Sequence, residues 1–468
     1  KSIGEVRAML ESTEKGEVRK TVGNYRLILM NDPNLQGAFR LNMFTDKLDI
    51  TRDLGWYRES DSLTDVDLKF LVVYLEKHYG LSNEKRIEDV IKVVANENRY
   101  HPVLDRINSI TWDGRERIRY ALHHFLGAEV SEYTYEVMKL FMIGTIARIS
   151  CPGIKFEVML CLVGGQGAGK STFLRLAAGI LRFLAMEDDW FTDDLKKMDD
   201  DNVYRKIQGH LIIEFPEMVA ILNAKNVEDT KSFMSRQKDT YKTPYDRHPK
   251  DHKRQCVFAG SSNSLDFLPM DRSGNRRFLP ILCNMEEAET HILDDEKTSR
   301  EYIDQMWAEA MEIYRSGKCQ LRLPKEMEKE LCEYQKQFMQ EDTKKELILD
   351  YLEHYEGSMV CSRQLYSEAL GNDGNPAQWE IREINDIMNN CSDWIAFSNP
   401  RHFPEPYRRQ KGWEKPDNRE PRSRWSSYHC HRSGWRDKCL IGCRLVVYPV
   451  ANPVVGSMFY KTLYLLCF

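Results

Sequence analysis

The sequence predicts an α/β protein whose core is built around one phosphate-binding loop. Residues 156–163 form an apolar run with the length and composition of a buried strand. A glycine-rich turn follows at residues 164–169, and residues 170–177 have the apolar spacing of a helix. Strand, G-x-x-x-x-G-K-S and helix, in this order, are the context that a phosphate-binding loop requires.

The residue types of this loop suit a nucleoside triphosphate with magnesium. Glycines let the backbone turn tightly and aim its N–H groups at phosphate oxygens, and the start of the helix adds positive charge. We therefore expect ATP and Mg²⁺, with Lys170 on the β- and γ-phosphates, Ser171 on the metal and Thr172 as a weaker second candidate. The predicted nucleotide-binding residues are Gly164, Gly165, Gln166, Gly167, Ala168, Gly169, Lys170, Ser171 and Thr172.

Bulk composition sets limits on the remaining possibilities. An apolar fraction of 42% in 468 residues is enough for several hydrophobic cores. The net charge of −5 means that nucleic-acid binding has to come from a local patch. Twelve cysteines, mostly single within apolar runs, predict reduced thiols and a cytoplasmic location. The chain has no signal segment and no initial Met, so we expect it to be part of a longer protein.

Two acids follow a second predicted strand. Residues 211–213 are apolar and lead into Glu214, and Pro216 ends the strand just before Glu217. An acid at the carboxyl end of a core strand can hold Mg²⁺, and another can orient the attacking water. We assign Glu214 to the metal and Glu217 to the water, with the reverse assignment open. The alternative is a strand that ends in surface acids. The acidic stretch at 187–201 has irregular spacing, so we expect a solvated loop there.

A third strand and two arginines complete the predicted catalytic set. Residues 255–262 form an apolar strand that ends at Asn263, which can sense the γ-phosphate. Arg276 and Arg277 follow a loop, and either can act as an arginine finger toward a neighbouring subunit. A finger of this kind implies an oligomer with nucleotide at its subunit interfaces. The alternative for either arginine is an internal ion pair.

A basic segment at residues 231–254 separates the two groups of catalytic candidates. It carries eight Lys or Arg against three Asp, with tyrosines between the charges. Cations neutralise phosphates and aromatic rings stack on bases, so this composition suits single-stranded or forked DNA. A charged loop without a ligand is the alternative. The predicted DNA contacts are Lys231, Arg236, Lys238, Tyr241, Lys242, Tyr245 and Arg247.

The order of these motifs resembles the virulence-associated protein E family. The resemblance is carried by GQGAGKST, by Leu-Ile-Ile-Glu, by the basic segment and by Gly-Asn-Arg-Arg-Phe, and it spans roughly residues 20–415. Members are P-loop ATPases of phages and mobile elements, similar to superfamily 3 helicases of the AAA+ class. The resemblance implies an AAA+-like core, a DNA-engaging hairpin, a ring, expected to be a hexamer, and a possible primase partner.

Four segments are expected along the chain. An α-rich domain covers residues 1–150, in which His101, Trp112 and Asp113 are assigned to turns and packing, with contact to nucleotide or DNA as the alternative. The P-loop core covers 151–322. Residues 323–415 read as helices and a strand in a winged-helix-like order, acting either on DNA or as a lid. The arginines considered for phosphate contact there are Arg363, Arg382, Arg401 and Arg408.

Residues 416–468 form an atypical tail that we predict to be disordered or foreign to the fold. Its spacing of His and Cys matches no standard zinc pair, and prolines and a lysine argue against a membrane span. The zinc candidates considered are His429, Cys430, His431, Cys439 and Cys443.

These observations together predict a DNA-stimulated ATPase. We expect a helicase or translocase that serves replication of a phage or mobile element. The rival hypothesis is a nucleotide-dependent AAA+ switch that binds a protein and not DNA.

Overall fold

The computed structural model describes residues 1–179, 190–195, 203–222, 227–242, 249–269, 275–339 and 342–416. Over these residues the protein is a mixed α/β structure with a parallel sheet and many helices, which confirms the predicted α/β class. The division into domains stays a prediction. The tail from residue 417 onward lies outside the described residues.

The N-terminal region packs helices against a three-stranded sheet. Thr64 caps α3 (Asp65–Tyr79) by accepting a hydrogen bond from the Asp67 amide. Strand β1 pairs antiparallel with β2 and parallel with β3. The elements are α1 (Ile3–Ala8), α2 (Val22–Asn31), β1 (Phe39–Asn42), β2 (Lys47–Ile50), α3 (Asp65–Tyr79), α4 (Glu84–Glu97), β3 (Arg99–Tyr100) and α5 (Pro102–Ser109).

The central sheet begins after two long apolar helices. Every residue of its first strand, β4, is buried. Leu160 and Leu162 face one hydrophobic cluster, and Met159, Cys161 and Val163 face another. Burial on both faces explains why this strand reads as a continuous apolar run. The elements are α6 (Ile118–Leu126), α7 (Glu132–Ser150), β4 (Met159–Val163), α8 (Lys170–Ala178), β5 (Phe191–Thr192), α9 (Val203–Ile207), β6 (Ile212–Phe215), α10 (Met218–Ile221) and α11 (Val227–Ser235).

The remaining strands complete the sheet in the order β10-β4-β9-β6-β5, and all neighbouring pairs are parallel. The carboxyl ends of β4, β6 and β9 therefore meet at one edge. An antiparallel hairpin of β7 and β8 precedes β9 in the chain. The elements are β7 (Lys238–Tyr241), β8 (Lys250–Lys253), β9 (Val257–Ser262), β10 (Phe278–Leu282), α12 (Glu296–Arg315) and α13 (Lys325–Gln335), with 3₁₀ turns at Met285–Glu287 and Lys336–Phe338.

The C-terminal region has its own hydrophobic cluster, centred on Trp394, Trp413 and Ile348. Its antiparallel sheet has the order β11-β15-β12. A separate hairpin of β13 and β14 lies between β12 and β15 in the chain. The elements are α14 (Thr343–His354), β11 (Met359–Cys361), α15 (Ser362–Gln364), a π-helical turn at Leu365–Ala369, α16 (Gln378–Asn389), β12 (Ile395–Ala396), β13 (Arg401–His402), β14 (Arg409–Gln410) and β15 (Gly412–Glu414).

Candidate functional site

The glycine-rich loop connects β4 to α8 and depends on glycine at three positions. A Cβ atom at Gly164 would lie 2.4 Å from the Cys283 carbonyl oxygen, so only glycine fits there without a shift. Gly167 and Gly169 have φ angles of 82° and 70°, the left-handed region that glycine adopts without strain. Helix α8 starts at Lys170, and no described side chain caps its first turn. Its leading N–H groups are thus left to an anion.

The Lys170 side chain folds back over the glycine-rich loop that precedes it. Its Nζ donates to the carbonyl oxygens of Gly164 and Gly165, each at 2.8 Å, and to Asn263 Oδ1 at 3.1 Å. The side chain is buried, and burial lowers the pKa of its ammonium group. The structure thus brings together Lys170 and the predicted sensor Asn263, which come from different strands of the sheet.

Glu214 lies at the end of β6 and is fully buried. Its Oε1 accepts hydrogen bonds from Ser171 Oγ at 2.7 Å and from Ser261 Oγ at 2.5 Å. Burial raises the pKa of the carboxyl group, and the two serine hydrogen bonds act in the opposite direction. Oε2 is buried as well and has no hydrogen-bond partner among the described residues.

These residues fit a magnesium ion. Mg²⁺ prefers hard oxygen ligands and is typically held by one or two carboxylates together with phosphate oxygens. The unpartnered Glu214 Oε2 lies on a carboxylate already bonded to the Ser171 hydroxyl, the second predicted ligand. Elsewhere in the described part of the chain, no group of three or more His, Cys, Asp or Glu could hold a metal. The zinc candidates of the tail lie outside the described residues.

Glu217 is separated from this cluster by a strained turn. It precedes α10 with φ 52°, a conformation that non-glycine residues rarely adopt. Its side chain is exposed, and among the described residues it forms no hydrogen bond or ion pair. Such strain is often found at functional sites. The role of Glu217 in orienting water stays a prediction.

The two arginines lie at the opposite edge of the sheet from the glycine-rich loop. The Arg277 carbonyl accepts a hydrogen bond from the Met159 amide at 2.7 Å, at the amino ends of β10 and β4. The loop begins past Val163, so the two sites are roughly 20 Å apart along the strands. Arg276 is exposed, whereas Arg277 Nη2 lies 3.6 Å from Glu157. Neither arginine can therefore reach the loop of its own chain.

A comparison with protein families identifies the chain. The model described as Virulence-associated protein E-like domain matches residues 107–340, half of the chain and the whole region from α6 to the 3₁₀ turn after α13. The chain belongs to the virulence-associated protein E family. No match was found among curated proteins.

Two solved structures are similar to this chain at low sequence identity. Two apo structures of the NrS-1 C-terminal region, one described as covering 305–718 and both in an A form, are similar to it at 14% sequence identity. Each likeness covers 81% of this chain and 96% of the other, with TM-scores of 0.44 and 0.43.

The predicted DNA-binding residues fall in and before the β7–β8 hairpin of the VapE-like domain, and they differ in accessibility. Arg236, Lys238 and Lys242 are exposed. Arg236 Nη1 donates to Tyr204 Oη at 2.7 Å, and Lys238 Nζ contacts the Asp251 carboxylate. Tyr245 and Arg247 lie outside the described residues.

Two other predicted contacts are engaged within the protein. Lys231 is on α11, its side chain is 5% exposed, and its Nζ lies 3.1 Å from Glu228. The Tyr241 ring stacks on His252 with centroids 3.9 Å apart, and its hydroxyl donates to Gln208 at 2.6 Å. This geometry gives no support to a phosphate contact by Lys231 or to base stacking on Tyr241, because both side chains are already packed.

The hairpin and the segment just after it contact the N-terminal region. Gln255 Nε2 donates to the Met43 carbonyl at 2.7 Å, and Gln255 Oε1 lies 2.8 Å from His101 Nε2. Lys250 Nζ lies 2.5 Å from Asp46 Oδ2, in the turn between β1 and β2. His101 also accepts a hydrogen bond from the Leu104 amide as the cap of α5. These contacts give His101 the structural role that its turn sequence predicts.

Trp112 and Asp113 are also engaged locally. The Trp112 indole donates to the Arg115 carbonyl, and Asp113 forms a bidentate pair with Arg117 at 2.7 Å for both bonds. The Arg117 guanidinium holds the pKa of the Asp113 carboxyl well below its usual range. Both residues thus shape the turn before α6.

Ser261 is a site residue that the sequence reasoning missed. It is buried in β9, two positions before Asn263, and it bonds the carboxylate of Glu214 across the sheet. A serine inside an apolar strand gave the only available signal, because a buried hydroxyl needs a partner. The motif order alone does not say which strand supplies that partner.

The arginines considered in the C-terminal region form surface pairs or stay exposed. Arg401 pairs with Glu414 through bonds of 2.5 and 3.0 Å, and Arg408 lies 3.5 Å from Glu405. Arg363 and Arg382 are exposed.

Among the described residues, no helix is both long enough and apolar enough to span a bilayer.

Proposed function

We propose that this chain is an ATPase that moves along DNA, a helicase or translocase serving replication of a phage or mobile element. The observation that carries the proposal is the cluster at the carboxyl edge of the sheet. There Lys170 and Ser171 from the start of α8, Glu214 from β6 and Asn263 after β9 surround one glycine-rich loop. These are the groups that phosphoryl transfer needs around a triphosphate: a cation, a metal site and a polar sensor.

Each residue has a distinct task in this proposal. Loop amides and Lys170 hold the phosphates, and the Lys170 ammonium has only to exchange carbonyl partners for phosphate oxygens. Ser171 and Glu214 would hold Mg²⁺, which supplies charge neutralisation on the β- and γ-phosphates when bound. Asn263 would contact the γ-phosphate or the attacking water. Glu217 would orient that water, with Glu214 as the alternative.

We infer an AAA+-like ring, expected to be a hexamer, from the position of the arginines. Arg276 and Arg277 lie at the far edge of the sheet, so a finger role requires a neighbouring copy. Arg276 is the better candidate because it is exposed, while Arg277 pairs with Glu157. A finger in trans contributes on the order of 10³–10⁵ in rate where it has been measured.

DNA is proposed to contact the exposed cations in and beside the β7–β8 hairpin, Arg236, Lys238 and Lys242. The C-terminal region runs α14, β11, α15, α16, β12, a hairpin and β15, and this alternation of helices and strands supports the winged-helix-like domain that we propose. We assign it a packing or lid role, because α16 carries three acids and one arginine and would repel phosphates. The residues concerned are Glu380, Arg382, Glu383 and Asp386.

The decisive experiment is ATP hydrolysis with and without single-stranded DNA. A motor predicts Mg²⁺-dependent hydrolysis that rises severalfold with DNA. The rival switch predicts hydrolysis or binding that is indifferent to DNA. No ATP binding at all would overturn both. Particle images with an ATP analogue and forked DNA test the ring, and adding a primase tests whether one is a partner.

Mixing variants tests the shared site. Lys170→Ala subunits supply intact arginines, and Arg276→Ala subunits supply intact loops. If the finger acts in trans, mixed rings recover part of the activity that both pure variants lack. The same mixture with Arg277→Ala is the matched comparison. Recovery with neither arginine would count against a finger at this position.

A further inference from the structure

Two hydroxyls converge on one oxygen of the Glu214 carboxylate. Ser171 Oγ donates to Oε1 from the start of α8 at 2.7 Å, and Ser261 Oγ donates to the same atom from β9 at 2.5 Å. β9 is the neighbour of β6 in the sheet, with Glu214 opposite Ala259. Oε2 receives no hydrogen bond from the described residues, although it is buried.

The two serines differ in what nucleotide binding does to them. Ser171 belongs to the phosphate-binding loop, so its hydroxyl changes partners when a metal and phosphates arrive. Ser261 belongs to the sheet and is 7% exposed, so its contact is fixed by the strand register. A carboxylate held at one oxygen by a rigid strand cannot rotate freely, and its second oxygen keeps one orientation. Outer hydrogen bonds of this kind set the geometry of metal-binding carboxylates.

We propose that Ser261 is a positioning residue for the magnesium ion of the nucleotide site. By holding Glu214 Oε1, it leaves Oε2 as the oxygen for the metal or for a metal-bound water. This inference rests on the proposed ATPase function and deepens it. Ser261 itself contacts neither nucleotide nor metal.

The neighbouring serine provides a matched control. Ser262 is also buried in β9, but its Oγ donates to the Ser264 carbonyl at 2.7 Å and not to Glu214. Ser261→Ala and Ser262→Ala therefore remove the same atom from adjacent positions of one strand. Only the first removal touches the carboxylate.

The test measures affinity for a fluorescent ATP analogue and the rate of hydrolysis, each as a function of Mg²⁺. For Ser261→Ala we expect the Mg²⁺ concentration that gives half-maximal hydrolysis to rise, or kcat to fall, by about 10- to 100-fold. This range is typical of residues that hydrogen-bond to metal ligands. Binding of the analogue in EDTA should match the wild type, because the loop amides and Lys170 are untouched. Ser261→Thr restores the hydroxyl and should recover most of the loss.

The outcomes separate this inference from the proposed function. If the wild type binds and hydrolyses ATP with Mg²⁺ while Ser261→Ala behaves like Ser262→Ala, the positioning role is wrong. If the wild type neither binds nor hydrolyses ATP, the proposed function fails first. Should Ser261→Ala not fold, Ser261→Cys keeps the side-chain volume with a weaker donor. Ser261→Cys should then change the half-saturating Mg²⁺ concentration or kcat in the same direction, but by a smaller factor. Wild-type values of both would overturn the inference.

Discussion

The nucleotide site and the β7–β8 hairpin are built in opposite ways. The hydrogen bonds that join Lys170, Ser171, Glu214 and Asn263 run between strands of the central sheet and the start of α8. The hairpin and the segment just after it contact residues of the N-terminal region, among them Met43 and Asp46. Among the described residues, the hydrogen bonds of the site therefore need no residue of the N-terminal region, whereas the hairpin contacts that region directly.

This difference has a mechanical meaning for the proposed motor. The hydrogen bonds that hold the nucleotide site lie within the central sheet and α8, so we expect the site to stay assembled without DNA. The hairpin contacts the N-terminal region, so a movement of that region can move the hairpin, and a fixed N-terminal region can restrain it. Substitutions in the nucleotide site and in the hairpin test whether each region keeps its stability and its binding when the other is altered.

The largest expected effect is on the hairpin's own base. Asp239 and Arg254 form a buried pair with 4% and 1% of their side chains exposed, joined at 2.6 Å. Asp239→Ala leaves a buried guanidinium without its carboxylate and should lower the free energy of unfolding by about 3–5 kcal/mol. Denaturant unfolding measures it.

An exposed pair in the same hairpin serves as the control. Asp251 and Lys238 are 47% and 58% exposed, so Asp251→Ala should change the free energy of unfolding by no more than about 1 kcal/mol. Equal losses from both variants would mean that the hairpin base is not the rigid unit that its burial indicates.

The second prediction concerns the site alone. Lys170→Ala removes the cation nearest the predicted phosphates and should reduce ATP hydrolysis by about 10²–10³, the range for losing one donor that stabilises transition-state charge. Single-stranded DNA binding without nucleotide should stay within a fewfold of the wild type, because Lys170 does not contact the hairpin. A matching loss of DNA binding would show that the two regions are coupled even at rest.

Much of the site could be predicted because its residues lie in short motifs at strand ends. Parallel strands bring their carboxyl ends to one edge, so Lys170, Glu214 and Asn263 had to meet once each strand was recognised. The sequence could not reveal Ser261 as a partner of Glu214, since that contact depends on strand order. It left an internal ion pair open for either arginine, but it could not say that Arg277 pairs with Glu157.

The hairpin was harder to predict for a physical reason. Its composition suggests cations and aromatic rings facing a ligand, but composition does not say which face a residue occupies. Tyr241 turns its ring onto His252, and Lys231 sits in the preceding helix against Glu228. The contacts of Asp46 join segments about 200 residues apart, and no local pattern encodes such a pairing.

The third prediction tests how tightly the loop is fitted to the sheet. Gly164→Ala would place its Cβ 2.4 Å from the Cys283 carbonyl oxygen, so backbone has to shift. We expect a loss of about 1–3 kcal/mol in the free energy of unfolding, as for other overpacked interiors. Gly165 has no heavy atom within 4 Å of its Cβ position, and Gly165→Ala should change stability much less. Equal stabilities would show that the loop relaxes away from β10.

The smallest expected effect tests the link between the N-terminal region and the hairpin. Asp46 Oδ2 lies 2.5 Å from Lys250 Nζ and 3.6 Å from His252 Nδ1, so its negative charge offsets positive charge on the hairpin. Asp46→Asn should tighten single-stranded DNA binding a fewfold at low salt. If Lys250 then neutralises one more phosphate, the slope of log affinity against log salt steepens by about 0.7.

A second acid of the N-terminal region separates this local effect from net charge. Asp53 is exposed and accepts a hydrogen bond from the Gly55 amide at 2.8 Å, away from the hairpin's contacts. Asp53→Asn removes the same charge and should leave the salt slope unchanged. If both variants steepen it equally, the attraction is a property of the whole surface, and the turn between β1 and β2 does not control the hairpin. If only Asp46→Asn does so, the N-terminal region sets how strongly the hairpin holds its strand.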